Sequence, residues 1–147
     1  MRRELGHGFE LDDDRARIDR EAVHGFISEH SYWAPGRPRE LVERTIDQST
    51  WVVGVYLGER QVGFARAISD CVTVAYLADV FVLPEHRGRG LGSELVRELV
   101  EGAGEGVRWM LHTADAQDLY ARFGFTRTPP RYPLMERAPE RGKDVGS

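Results

Sequence analysis

Cysteine is all but absent: Cys71 is the one thiol in 147 residues. A single thiol can form neither an intramolecular disulfide nor a cysteine-based zinc site, and no metal is expected. Long apolar runs are missing too, since none approaches the roughly 20 residues that a membrane-spanning helix needs. Met1-Arg2-Arg3-Glu4-Leu5-Gly6-His7 has two arginines with no apolar stretch behind them. That is not a secretory leader, so a cytoplasmic location is the default expectation and no membrane partner is expected. An excess of positive charge is lacking as well. Lys and Arg number 20 against 24 Asp and Glu, a formal charge of −4. This argues against a nucleic-acid partner whose binding would rest on phosphate neutralisation. No internal repeat is visible, and the length suits one domain spanning 1–147.

What is present is material for a core and a surplus of glycine. Apolar residues make up 41% of the chain and charged residues 30%, enough to bury a core beneath a polar surface. Sixteen glycines exceed the usual share of about 7%. Where they cluster, the backbone must bend or something must approach it closely.

Phe9-Glu10-Leu11 reads as a short first strand and Asp12-Asp13-Asp14 as a loop. Asp19 is a good N-cap for a helix whose Ala22, Val23, Phe26 and Ile27 share one face. Pro35, Gly36 and Pro38 interrupt regular structure, and Pro38 suits the first turn of a second helix running to about Gln48. Trp51–Leu57 and Gln61–Ile68 are β-rich runs, which Gly58-Glu59-Arg60 joins as an antiparallel hairpin with a three-residue loop. Val72–Val82 is apolar on both faces except at Thr73 and Asp79, as in a central strand covered on both sides. Leu91, Leu95 and Leu99 recur at i+4 with charged residues opposite, predicting a helix that ends at Gly102. A short strand over 107–111 and a helix over 116–123, stopped by Gly124, follow. The order predicts a mixed α/β sheet of about six strands with about four helices.

The glycines cluster at Arg87-Gly88-Arg89-Gly90-Leu91-Gly92-Ser93, between a buried strand and the clearest helix. Free backbone N–H groups at a helix N-terminus, the macrodipole and glycines without side chains suit a phosphate or pyrophosphate there. Arg87 and Arg89 add charge. A Walker A loop would need a lysine, and none stands in this loop. A Rossmann fingerprint would need glycine at Ser93 and an acidic residue near Trp109-Met110-Leu111-His112, where none stands.

The run from Val80 to Gly92, with its Arg87-Gly88-Arg89-Gly90-Leu91-Gly92 loop, resembles the acyl-CoA signature of the GNAT superfamily of N-acetyltransferases. Downstream, Asp118-Leu119-Tyr120-Ala121-Arg122-Phe123-Gly124-Phe125 is similar to that family's tyrosine-bearing helix closing on Gly-Phe. The two signatures and the elements before them cover most of residues 9–136, leaving 137–147 as an expected flexible tail.

The resemblance implies a mostly antiparallel GNAT sheet and acetyl-CoA as cosubstrate, held between the strand 72–82 and the strand 107–111. Pyrophosphate would meet the backbone of Arg87, Gly88, Arg89, Gly90, Leu91 and Gly92 with Ser93 nearby, and pantetheine the backbone of Val80, Phe81 and Val82. A small-molecule amine would attack the thioester directly. Tyr120 would be the general acid toward the departing thiolate, since a phenol can donate a proton there without ionising at neutral pH. Asp79, the one acid inside an apolar strand, is either the general base or a structural anchor; Glu29, His30, Glu85, His112 and a water chain are weaker bases. Tyr32, Trp33 and Arg37, on the loop between the first two helices, are the expected acceptor contacts. The aromatic faces suit a cation, and Arg37 suits a carboxylate or phosphate. Two other readings are a protein lysine or N-terminal acetyltransferase and a CoA-binding sensor without turnover. A homodimer is compatible with the family.

Overall fold

In a computed structural model that describes residues 1–129 and 131–139, six strands make one sheet whose order follows the chain. They are β1 (Arg2–Gly6), β2 (Phe9–Asp12), β3 (Trp51–Leu57), β4 (Arg60–Ser69), β5 (Val74–Val82) and β6 (Arg108–Met110). Helices α1 (Arg20–His30) and α2 (Arg39–Gln48) precede β3, α3 (Leu91–Gly102) joins β5 to β6, and α4 (Gln117–Ala121) follows. Neighbours from β1 to β5 pair antiparallel, and β6 runs parallel to β5. The sheet is thus mixed and mostly antiparallel, as in the GNAT fold expected from the signatures.

Period-2 alternation sorts the strands between two apolar layers. Val53, Val55, Ala65 and Ala67 pack with Leu91, Leu95, Val96 and Leu99 of α3. Their strand neighbours Val52 and Phe64 face the other way, onto Val23, Phe26 and Ile27 of α1 and Val42 and Ile46 of α2. Asp19 caps α1 by accepting from Ala22 N at 3.0 Å. Among the described residues no helix is long and apolar enough to cross a membrane.

Several elements depart from the sequence reading. β1 was not expected, because Arg2-Arg3-Glu4 carries no apolar alternation. It is held as an edge strand by pairing to β2 and by Arg3 Nη1 donating to Glu94 on α3 at 2.9 Å. The hairpin loop is two residues, Gly58-Glu59, since Arg60 pairs with Leu57, and Gly58 takes φ +62° there. β5 begins at Val74 rather than Val72 because the Asp70 carboxylate gathers the amides of Val72, Thr73 and Val74 into a turn. Only one face of its first half is covered: Ala75 and Leu77 are buried, whereas Val74 stays exposed. β6 and α4 are shorter than expected. Past Ala121 the chain tightens through Phe123 N to Tyr120 O and Gly124 N to Ala121 O. Of the expected tail, Arg137–Pro139 lie against a cleft, and 140–147 fall outside the described residues.

Close approach explains one strand glycine. A Cβ on Gly54 would lie 2.6 Å from Tyr56 Oη and 2.8 Å from its ring, and Tyr56 is fully buried. Gly54→Ala should therefore cost about 1–3 kcal/mol through overpacking, read as a lower urea midpoint at unchanged m-value. An unmoved midpoint would mean that the Tyr56 ring has room to swing away.

Candidate active site

The site begins with one extra residue in β5. Phe64 pairs with Phe81 and Arg66 with Ala78, so two steps along β4 face three along β5. This β-bulge shifts the side-chain parity of the strand. Leu77 packs in the α3 layer while Phe81, four residues on, packs in the α1/α2 layer. The bulge needs Asp79 in the left-handed region, at φ 52°, a conformation costing an ordinary side chain about 1–2 kcal/mol.

Three donors hold Asp79 there. Arg66 Nε reaches Oδ2 at 2.7 Å, Arg37 Nη1 reaches the same oxygen at 3.0 Å, and Trp33 Nε1 reaches Oδ1 at 2.7 Å. Asp79 is 6% exposed and Arg37 3%, so these charge-assisted bonds are screened little by water. The arrangement is that of an anchor. Both of its carboxylate oxygens are already taken by side-chain donors. Arg37, an expected acceptor contact, is buried with its guanidinium bonded to Asp79.

Beyond the bulge no described strand pairs with the second edge of β5. β6 pairs only with Val74–Tyr76, so the strands part from Leu77 onward. Leu83 N donates to Val62 O at 2.8 Å, and by alternation Val82 and Val80 turn their backbone groups away from β4, into the opening. The Val82 carbonyl is already used there by Arg87 Nε at 3.0 Å. Arg87 therefore pins the loop to the strand, a local tie that the sequence reading did not foresee. Phe81 contributes its ring instead, stacked on Phe26 with centroids 4.0 Å apart.

The glycine loop is built as its composition suggested. Gly88 and Gly90 take φ +81° and +77°, and Gly90 caps α3 in the left-handed conformation. The amides from Gly88 to Ser93 have no protein acceptor among the described residues. Arg89 is exposed, with its guanidinium 5.7 Å from the Phe9 ring centroid, and Ser93 Oγ lies 3.5 Å from Arg122 Nη1.

Two connected hollows fill the opening. The outer one, ≈ 420 Å³, runs from Arg87 and Gly92 along Val82 and Val80 to Tyr120. The inner one, ≈ 640 Å³, runs from Tyr120 and Val80 to Tyr76, His112 and Glu136. Tyr32, Trp33 and Tyr120 line both, so the two hollows adjoin at these side chains. Tyr32 Oη accepts from Ala114 N at 2.9 Å, roofing the junction. Tyr120 is 8% exposed, and its hydroxyl has no hydrogen-bond partner among the described residues. Burial, then Tyr32 and Asp115, push its pKa up to about 12.

The other acids and histidines divide by place. Glu85 pairs with Arg60 at 2.9 Å and Glu29 stands exposed beside His30, both away from the inner hollow. His112 is in that hollow, with Nδ1 2.7 Å from Tyr76 Oη. Sequence reasoning missed Tyr76, Asp115 and Glu136 as lining residues. Tyr76 alternated like any core aromatic, and nothing local marked Glu136. Among the described residues no three His, Cys, Asp or Glu side chains converge as metal ligands.

With this geometry in view, comparison with known proteins gives a consistent answer. The family model for the acetyltransferase (GNAT) domain matches residues 47–127, more than half of the chain. The chain belongs to the GNAT acetyltransferases. It is similar to a solved GNAT-family protein from Xanthomonas campestris pv. campestris, with 44% identity and a TM-score of 0.81, over 91% of this chain and 94% of that one. It is 34% identical over 104 residues to a GCN5-like protein acetyltransferase from Mycobacterium tuberculosis, matching 65% of this chain and 46% of that protein. It is 42% identical over 65 residues to a protein named as an acetyltransferase from Gibberella zeae, 42% of this chain and 37% of that one. The chain spans between 31% and 55% of the length of the curated relatives it matches.

Asp79→Asn keeps the shape but removes the shared negative charge from between Arg37 and Arg66. Breaking a buried pair in this way should lower stability by about 3–5 kcal/mol in urea denaturation. A loss within about 1 kcal/mol would show that the network does not hold the bulge.

Proposed function

We propose that the chain moves an acetyl group from acetyl-CoA to a primary amine of a small molecule, by direct attack in a ternary complex. One observation carries the reading: the amides of Gly88–Ser93, which have no protein acceptor among the described residues, stand at the end of a cleft that Arg87 and Gly92 line and that runs to Tyr120, whose hydroxyl has no partner among the described residues. The donor set fits the cosubstrate. Loop amides at the N-terminus of α3 suit a pyrophosphate, and the free edge at Val80 and Val82 suits the amide groups of a pantetheine arm. Acetyl-CoA supplies a thioester carbonyl open to attack and a thiolate as leaving group.

The chain's own residues then divide the work. Joining both molecules in one cleft supplies proximity, and the Val80 amide is available to a developing oxyanion. Tyr120 gives a proton to the departing sulfur. Its raised pKa has a definite sign: the neutral hydroxyl is favoured in the folded chain, so the donor is fully protonated throughout the neutral range. The stability linked to this group is present below the unfolded pKa of about 10 and is lost as the pH climbs toward 12. Asp79 positions Trp33 and the loop before it, and the proton of the acceptor ammonium leaves through water in the cleft. A cytoplasmic location and a homodimer belong to the same proposal.

The name of the Mycobacterium tuberculosis relative favours a second reading, a protein acetyltransferase. The Tyr32 roof and the segment at Glu136–Pro139, which wall the inner hollow, favour a small acceptor.

Thiol release from acetyl-CoA with a panel of amines tests the reading. Tyr120→Phe should lower kcat by about 100-fold or more and leave the KM for acetyl-CoA nearly unchanged, and the wild-type profile should show no phenol-linked loss below about pH 11. An unchanged kcat would remove the acid role. No release with any amine or peptide would leave the CoA-binding sensor.

A further inference from the structure

The inner hollow was expected to present a cation, and the structure moves that cation away. Arg37 is 3% exposed and bonded to Asp79. Besides Asp79, which Arg37 and Arg66 already occupy, the charged side chains lining the hollow are the carboxylates of Asp115 and Glu136 and the guanidinium of Arg137, among the rings of Tyr32, Trp33 and Tyr76.

The two carboxylates stand at opposite ends. Asp115 lines both hollows and adds its charge to the field at Tyr120, after burial and Tyr32. Glu136 lies at the far end and, after burial, is the largest influence holding the Tyr76 hydroxyl protonated. Glu136 Oε2 is 3.8 Å from His112 Nε2, within ion-pair distance but too long for a hydrogen bond, and the Glu136 side chain is 63% exposed, so a ligand can reach its carboxylate. The ends are well separated. Tyr76 and Val80 are four residues apart on β5, which at about 3.3 Å per residue, less the bulge, makes about 10–13 Å. A further pointer to a ligand is Tyr120, 8% exposed with no hydrogen-bond partner for its hydroxyl among the described residues, on the wall that this hollow shares with the outer one.

We infer that the acceptor is a small dibasic amine. Its reacting nitrogen lies at Tyr120, and a second, protonated nitrogen about 10 Å away is held by the Glu136 carboxylate against the Tyr76 ring. An ammonium gains there from a charge-assisted hydrogen bond and an aromatic face together. This rests on the acetyl-transfer reading above. In the reaction a C–N bond to the near nitrogen replaces the thioester C–S bond; of the two protons the ammonium gives up, the sulfur gains the equivalent of one and water takes the other. The far nitrogen keeps its charge. Arg137, on the same wall, is the residue that would favour an acceptor carrying a carboxylate instead.

The experiment uses α,ω-diamines from 1,3-diaminopropane to 1,10-diaminodecane, n-alkylamines and ω-amino acids of matching length, and a lysine-bearing peptide. Each is read by kcat/KM with acetyl-CoA and by calorimetric binding to the free protein. Diamines near 1,8-diaminooctane, with nitrogens about 11 Å apart when extended, should exceed the matching alkylamine by about tenfold or more in both readouts. Glu136→Gln should bring that ratio to within about twofold, and Arg137→Gln should leave it intact. Equal use of diamine and alkylamine, preference for the ω-amino acid or the peptide, or an unchanged ratio in Glu136→Gln would each overturn the inference. Absence of thiol release with every amine would instead count against the acetyl-transfer reading, and the binding ratio would still decide the dibasic one.

Discussion

Asp79 occupies a backbone conformation that side chains avoid, and it stays there because two guanidinium groups and an indole converge on its carboxylate. The three donors come from two separate parts of the chain: Arg66 from β4, and Trp33 and Arg37 from the loop between α1 and α2. Binding them to one residue has two consequences. The bulge turns Val80 and Val82 toward the opening beside β6, and the loop is drawn over that opening so that Tyr32 can roof it. A regular strand at the same place would carry Asp79 into the apolar α3 layer, where a carboxylate without partners costs several kcal/mol.

The cleft divides its work between backbone and side chain. At the outer end the donors are amides of a glycine loop and of a strand edge, so recognition depends on φ and ψ more than on side-chain identity. At the inner end the walls are Tyr32, Trp33, Tyr76, Asp115 and Glu136, and recognition there depends on which side chains are present. On the proposed function, an outer end built this way would serve one cosubstrate, and an inner end built from side chains could be respecified without disturbing it.

The features readable from sequence were those whose physics is local. The Asp19 cap, the i+4 leucines of α3 and the alternating glycines at its mouth each declare themselves within a few residues. The bulge did not, because nothing beside Asp79 encodes a left-handed aspartate; the partners that stabilise it lie 13, 42 and 46 residues away. For the same reason Arg37 read as a ligand contact, since a lone arginine in an aromatic loop shows its charge but not its distant partner. β1 was hidden by its charges, which an edge strand tolerates, and Glu136 reaches the hollow from a segment with no regular structure.

The account stands on a backbone site for acetyl-CoA beside a bulged strand, and an amide-resolved NMR titration of the ¹⁵N-labelled chain with CoA tests it most directly. The account predicts that the amides of Gly88–Ser93 shift most, joined by Val80 and Val82 on the free edge of β5, with β1 and β2 unmoved. Saturation by CoA with those amides unshifted, or no saturation at all, would contradict it.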